Sequence, residues 1–203
     1  ATLMRLLAAT GIFLVAADKE TETQSVIALD RATGKQLWQT AVHKGGFETK
    51  GHAKSSLAST TPACDGERVF VNFLNGGSIW ASALSLSGEI LWQERLTEFA
   101  THQGFGASPA IYESLVICSA DNQGKGAVIA LDRVTGKRVW QVDRPKLHNY
   151  TSPMIHHVAD KDQLVMVGCD QVFPPSADRT KFIATACDGM PSPRVAMLTM
   201  RSP

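Results

Sequence analysis

One eleven-residue phrase occurs twice in this chain, and the repetition constrains the fold more than any other feature. Ala28-Leu29-Asp30-Arg31-Ala32-Thr33-Gly34-Lys35-Gln36-Leu37-Trp38 returns as Ala130-Leu131-Asp132-Arg133-Val134-Thr135-Gly136-Lys137-Arg138-Val139-Trp140. A worn copy lies between them: Ala83-Leu84-Ser85-Leu86-Ser87-Gly88-Glu89-Ile90-Leu91-Trp92 is one residue shorter and keeps the Gly-x-x-x-Trp ending. Trp38, Trp92 and Trp140 stand 54 and 48 residues apart. A fixed period of this length means like units, each burying its apolar face against the next.

A second element keeps the same phase. Thr61-Pro62, Ser108-Pro109 and Ser152-Pro153 each precede a β-branched apolar run, Val69 to Phe73, Leu115 to Cys118 and Leu164 to Val167. Short runs of this kind bounded by Gly, Asn and Asp are strands, and no long helical period interrupts them. Each unit therefore reads as four strands: one after the Ser/Thr-Pro step, one Val-rich, one ending in Leu-Asp, and one carrying the Trp. The Asp-x-x-Thr-Gly step is turn chemistry. Asp and Thr side chains bond nearby backbone, and Gly34 and Gly136 accept the positive φ of a tight hairpin.

Four-stranded units of roughly 40–50 residues are the blades of a β-propeller. The expected fold is all-β, a partial propeller of antiparallel four-stranded blades, with Trp38, Trp92 and Trp140 packed between blades. Asp30, Gly34, Gly88, Asp132 and Gly136 would shape the turns. The phrase AxDxxTGKxxW resembles the tryptophan motif of the pyrroloquinoline-quinone (PQQ)-type propeller repeat. Quinoprotein alcohol dehydrogenases, BamB-type outer-membrane assembly lipoproteins and many bacterial propeller proteins share it. The stretch from His43 to Val172, with HKGGFETKGHAKSSLASTTPACDGERVFV and HQGFGASPA, is similar to the last group, often found in large planctomycete-type proteins. The resemblance spans residues 11 to about 172.

Blade boundaries follow from the phase. The first blade is partial, about 11–40, because Gly11–Asp18 aligns with Ser114–Asp121 and so opens on a second strand. The second runs over about 56–94 and the third over about 106–143. A fourth, partial, covers about 151–172. Closed propellers need about 4–8 blades, so some three and a half predict a piece of a larger propeller or open edges that self-associate. Met4-Arg5 before the apolar Leu6–Ala17 run has the outline of a secretory signal, but its register match to a repeat strand favours the sheet. Residues 173–203 hold five of the nine prolines. Because Pro disrupts ladders, this tail is expected to be irregular, with a non-native ending as the alternative.

Composition removes some functions. The net charge is +1 from 20 basic and 19 acidic residues, whereas nucleic-acid domains usually carry a basic excess. No apolar run approaches the ~18 residues of a membrane-spanning helix. The four cysteines are scattered, without CxxC or zinc spacing, and neither GxSxG nor HExxH occurs. No catalytic residue and no metal site is assigned.

In a propeller the loops from the fourth strand of one blade to the first of the next surround one mouth of the channel. Here they fall at about 41–57, 95–105 and 142–150. They gather His43, His52, Lys54, His102, Gln103 and His148, the candidate binding residues. Imidazoles can ligate metal or move protons near neutral pH, and lysines attract anions; polar residues also simply collect in loops. His156 and His157, adjacent on a strand, would point to opposite faces. Trp80 lies off the repeat phase and reads as strand packing or a ligand-stacking ring.

The resemblance implies two functions. One is a non-enzymatic binding or scaffold module, extracytoplasmic, without a cofactor, engaging a protein or the remaining blades of its parent. The alternative is a fragment of a PQQ-dependent alcohol dehydrogenase using PQQ and Ca²⁺. Such enzymes set a vicinal disulfide against the quinone, a carboxylate–amide Ca²⁺ site and a catalytic aspartate. This chain has no Cys-Cys pair, and no carboxylate set can be carried over position by position.

Overall fold

A computed structural model describes residues 6–7, 11–48, 52, 56–158, 161–168, 183–185 and 194–199. None of these residues is helical; they form four antiparallel sheets of four strands. The first contains β1 (Leu6–Leu7), β2 (Gly11–Asp18), β3 (Thr23–Asp30) and β4 (Gln36–Lys44). The second contains β5 (Ala63–Cys64), β6 (Arg68–Asn75), β7 (Ser78–Ser85) and β8 (Ile90–Glu98). The third contains β9 (Ala110–Tyr112), β10 (Leu115–Ser119), β11 (Ala127–Asp132) and β12 (Arg138–Asp143). In these three, strand order follows chain order, the meander of a propeller blade. The fourth joins β13 (Met154–Val158), β14 (Lys161–Gly168), β15 (Ile183–Thr185) and β16 (Arg194–Thr199) in the order β13-β14-β16-β15.

Two expectations are corrected. The first sheet does not open on a second strand: Leu6 and Leu7 pair with Phe13 and Ile12 and supply a short first strand. The 173–203 tail is not wholly irregular, since β15 and β16 lie within it, and β16 pairs with β14 from Gln163–Thr199 to Gly168–Arg194. The physical reason lies in where the prolines fall. Pro174, Pro175, Pro191, Pro193 and Pro203 are all outside the two strands, and proline is excluded from strand interiors rather than from the segments between them.

Sheets stack face to face around three apolar clusters. Phe13, Val26 and Ala28 of the first sheet meet Val71, Phe73 and Leu84 of the second. Phe70, Ile79 and Ala83 of the second meet Val116, Ile129 and Leu131 of the third. Ile117, Val128 and Ala130 of the third meet Leu164 and Met166 of the fourth. Middle strands sandwiched in this way are apolar on both faces: Val69, Phe70, Val71 and Phe73 are all nearly inaccessible. The outer strand β8 instead alternates, because one of its faces meets water.

The repeated Trp and Gly form one inter-blade lock. Trp38 donates its indole N–H to the Leu86 carbonyl of the next sheet at 2.9 Å, and Trp92 donates to the Arg133 carbonyl at 3.2 Å. Each indole lies flat on the following turn's glycine. A Cβ on Gly88 would fall 2.8 Å from Trp38 Cδ2, and one on Gly136 would fall 2.7 Å from Trp92 Cδ2. Thr40 completes the first lock, its hydroxyl donating to the Gly88 carbonyl at 2.6 Å. The turns are prebuilt: Asp132 Oδ1 accepts from the Thr135 amide at 2.7 Å and its hydroxyl at 2.8 Å, and Asp30 does the same with Thr33.

Both Gly34 and Gly136 have φ near +70°, but among the described residues a Cβ on Gly34 would meet nothing within 4 Å. Gly34→Ala should therefore lose only the roughly 1–2 kcal/mol of a left-handed alanine. Gly136→Ala should lose that plus an overpacking cost of about 1–3 kcal/mol. Urea midpoints of the two variants compare them directly, and equal losses would contradict the lock.

The Ser/Thr-Pro step links sheets as well. Ser108 Oγ accepts from the Thr61 amide at 2.8 Å, and Ser152 Oγ accepts from the Ser108 amide at 2.9 Å. Each proline then precedes the first strand of its blade, where a missing N–H costs nothing.

Candidate functional site

The loops that follow β4, β8 and β12 converge on one patch. His52 donates its backbone N–H to the Gln103 carbonyl at 3.3 Å, joining the first loop to the second. The His102 ring stacks on His148, centroids 4.4 Å apart and planes 23° from parallel, joining the second loop to the third. His102 Nδ1 lies 3.3 Å from the Tyr150 hydroxyl. His52, Gln103 and Tyr150, with Ser59, Gly104, Phe105 and Gly106, line an open pocket of about 260 Å³. Burial, and then the neighbouring His102, lower the pKa of His148.

Buried polar contacts hold these loops in place. Arg144 donates to the Asp121 carboxylate through Nε at 3.0 Å and Nη2 at 2.9 Å, and Asn149 Nδ2 adds a third contact at 3.0 Å. Arg144 and Asp121 side chains are only 9% and 3% exposed. The pair thus fixes the loop carrying His148 and Tyr150 to the β10–β11 connection. In the preceding loop, Asn122 Oδ1 accepts from the Ala100 amide at 3.2 Å, and Phe99 packs edge-on against Phe105 at 5.5 Å.

Of the residues expected at the channel mouth, the structure brings together His52, His102, Gln103 and His148. Lys54 lies outside the described residues. His43 belongs to strand β4 rather than to a loop, because pairing with Gln24 carries the ladder past it. Its ring sits edge-on to Phe73 at 5.9 Å and close to Trp80 at 5.8 Å, and burial lowers its pKa. It is a packing residue of the sheet end. Trp80 likewise serves its own sheet, donating to the Asn75 carbonyl at 3.2 Å.

Tyr150, Phe105 and Ser59 escaped the sequence reading. Tyr150 is 40% exposed and is one of only two tyrosines; its place two residues after His148 was the available signal. His156 and His157 are exposed on β13, with His157 Nδ1 2.7 Å from Asp162 Oδ1. Asn149 begins an Asn-x-Thr sequon, yet it is 8% exposed and its side chain is bonded to Asp121.

Among the described residues no three His, Cys, Asp or Glu side chains gather as a metal site. Cys64 and Cys118 are free thiols. Cys118 is fully buried, its pKa pushed up to about 12 by that burial, and it donates to Asn72 Oδ1 at 3.3 Å. Asp121, the buried carboxylate that holds the His148 loop, is already taken by Arg144 and Asn149.

A family model described as outer membrane protein assembly factor BamB matches residues 10–178. The chain belongs to that BamB family. A curated relative, the quinohemoprotein alcohol dehydrogenase ADH IIB of Pseudomonas putida, is 27% identical over 128 residues, 57% of this chain and 17% of the relative. Among solved structures, a europium-containing methanol dehydrogenase superposes with a TM-score of 0.54 at 20% identity, over 68% of this chain and 24% of that one. BamB from Moraxella catarrhalis covers 97% of this chain and 71% of its own, at 12% identity and a TM-score of 0.40. The chain thus spans under a quarter of the two dehydrogenases. Membership in the BamB family and the methanol dehydrogenase superposition both support reading the repeated four-stranded sheets as blades of a partial PQQ-like propeller.

Proposed function

We propose that this chain is a non-enzymatic binding module of the BamB-like propeller class, acting outside the cytoplasm and holding a protein partner on its channel-mouth face. One observation carries the reading: loops from three successive blades meet through His52–Gln103 and His102–His148 around an exposed tyrosine. An amphipathic aromatic on an anchored, polar-rimmed surface is the composition of a protein-recognition patch. The extracytoplasmic location and the protein partner rest on the family's description as an outer-membrane assembly factor. The 27% likeness to an alcohol dehydrogenase favours a second reading, a segment of an oxidoreductase using PQQ and Ca²⁺, against which the donor set above speaks.

The test is site-specific photo-crosslinking in cells that express the chain. A benzophenone side chain at position 150 should give a discrete protein adduct. The same group at position 137, in the turn at the other end of the third sheet, should give none. Equal adducts at both positions, or none at 150, would contradict the reading.

A further inference from the structure

We propose that the His102–His148 stack is a pH-operated clasp, which holds the loop patch together near neutrality and lets it open in acid. Its regulatory role rests on the reading of that patch as a recognition surface. The stack ties the second loop to the third, with ring centroids 4.4 Å apart and planes 23° from parallel. The pocket depends on that tie, because Gln103 and Gly104 come from the loop of His102 and Tyr150 from the loop of His148. Neutral imidazoles can stack as aromatic faces, whereas two charged ones at this spacing repel each other. His148 adds a second, independent feature. Its Nε2 is buried with no hydrogen-bond partner among the described residues. An imidazolium carries a proton on both nitrogens, so charging His148 in this pose leaves a buried N–H without an acceptor. Burial, and then the neighbouring His102, accordingly hold its pKa below the ordinary value.

The surroundings do not offset that charge. Among the described residues no carboxylate bonds either ring, because those on the surrounding elements are engaged elsewhere. Asp121, in the β10–β11 connection, holds Arg144 at 2.9 Å and Asn149 at 3.0 Å. Glu98, at the end of β8, pairs with Arg95 at 3.7 Å. Asp143, at the end of β12, accepts from Gln141 at 2.9 Å, and Glu48 of the first loop accepts from the Gly77 amide at 2.6 Å. The other titratable side chains on these elements are Lys44, His52, Lys125 and Lys146, and residues 49–55 add Lys50 and Lys54 but no acid. The contact between His102 Nδ1 and the Tyr150 hydroxyl does not sense the proton, since a hydroxyl can donate to a neutral nitrogen or accept from a protonated one. The sign follows. The neutral stack is complete above the ordinary histidine pKa of about 6.5 and is lost as the pH falls below it, in the window of about pH 5–6 where histidine clusters switch.

The test is nuclear magnetic resonance of the ¹³C-labelled full chain. Overhauser contacts between the rings at positions 102 and 148 should be strong at about pH 7.5 and lost at about pH 5.5, while those between the buried Val116 and Ile129 persist. In His148→Phe the ring cannot be charged, and its contact with His102 should remain at both pH values. His102→Phe is the reciprocal variant should the first not fold. The benzophenone adduct from position 150 should fall several-fold between the same two pH values in the native chain and stay level in either variant. Ring contacts that survive acid in the native chain, or that vanish equally in the variants, overturn the clasp. Ring contacts that behave as expected while no adduct forms at any pH would keep the clasp and overturn the recognition reading on which its role depends.

Discussion

Trp92→Ala should lower the unfolding free energy by about 3 kcal/mol, within the roughly 3–5 kcal/mol range for removing a packed tryptophan. The indole lies between the second and third sheets, 6.0 Å from the Phe70 ring, and covers Gly136 while bonding the Arg133 carbonyl. Its removal takes away packing on both sheets and returns that carbonyl to water. The variant also changes what a second substitution costs. With the ring gone, a methyl on Gly136 has room, so Gly136→Ala in the Trp92→Ala background should cost only its backbone strain. A double-mutant cycle in urea should show a coupling of about 1 kcal/mol or more. Additive effects, or a Trp92→Ala loss below about 1 kcal/mol, would mean that the indole does not join the blades.

Arg144→Met should cost about 3–5 kcal/mol, because it leaves the Asp121 carboxylate buried with a single remaining amide donor. The pair is bidentate and nearly inaccessible, so water cannot replace the guanidinium without opening the loop. Adding Asp121→Asn removes the stranded charge and should recover much of the loss, measured again by urea unfolding. A loss as small as that of an exposed ion pair, below about 1 kcal/mol, would contradict the burial. The same variant should disturb the His102–His148 stack, since Arg144 anchors the loop that carries His148. Stability and the geometry of the loop patch are coupled through this one contact.

What was legible in the sequence was local and repeated. The Asp-x-x-Thr-Gly turn, the Trp four residues after its Gly and the Ser/Thr-Pro step each make their bonds at a fixed offset within a blade or to the same offset in the next. A period in the sequence is therefore a period in space. The residues that were not legible depend on chain segments far apart. Asp121, Arg144 and Asn149 meet only once the β10–β11 connection and the following loop fold together. His43 was assigned to a loop because nothing local marks where the β3–β4 ladder stops. The tail misled for a related reason: its proline content describes 31 residues on average, whereas a strand needs only the six of Arg194–Thr199 to be free of proline.

As proposed, this chain presents a protein-binding face and carries no quinone. The most direct measurement is the thermal unfolding midpoint of the purified chain with and without PQQ and Ca²⁺, read together with quinone absorbance after gel filtration. The account predicts an unchanged midpoint and no quinone carried with the protein. A ligand present at about 100 times its Kd would stabilise the fold by roughly 2.7 kcal/mol, a shift of several degrees. Such a rise requiring both PQQ and Ca²⁺, with quinone retained, would contradict the account and return the chain to the oxidoreductases.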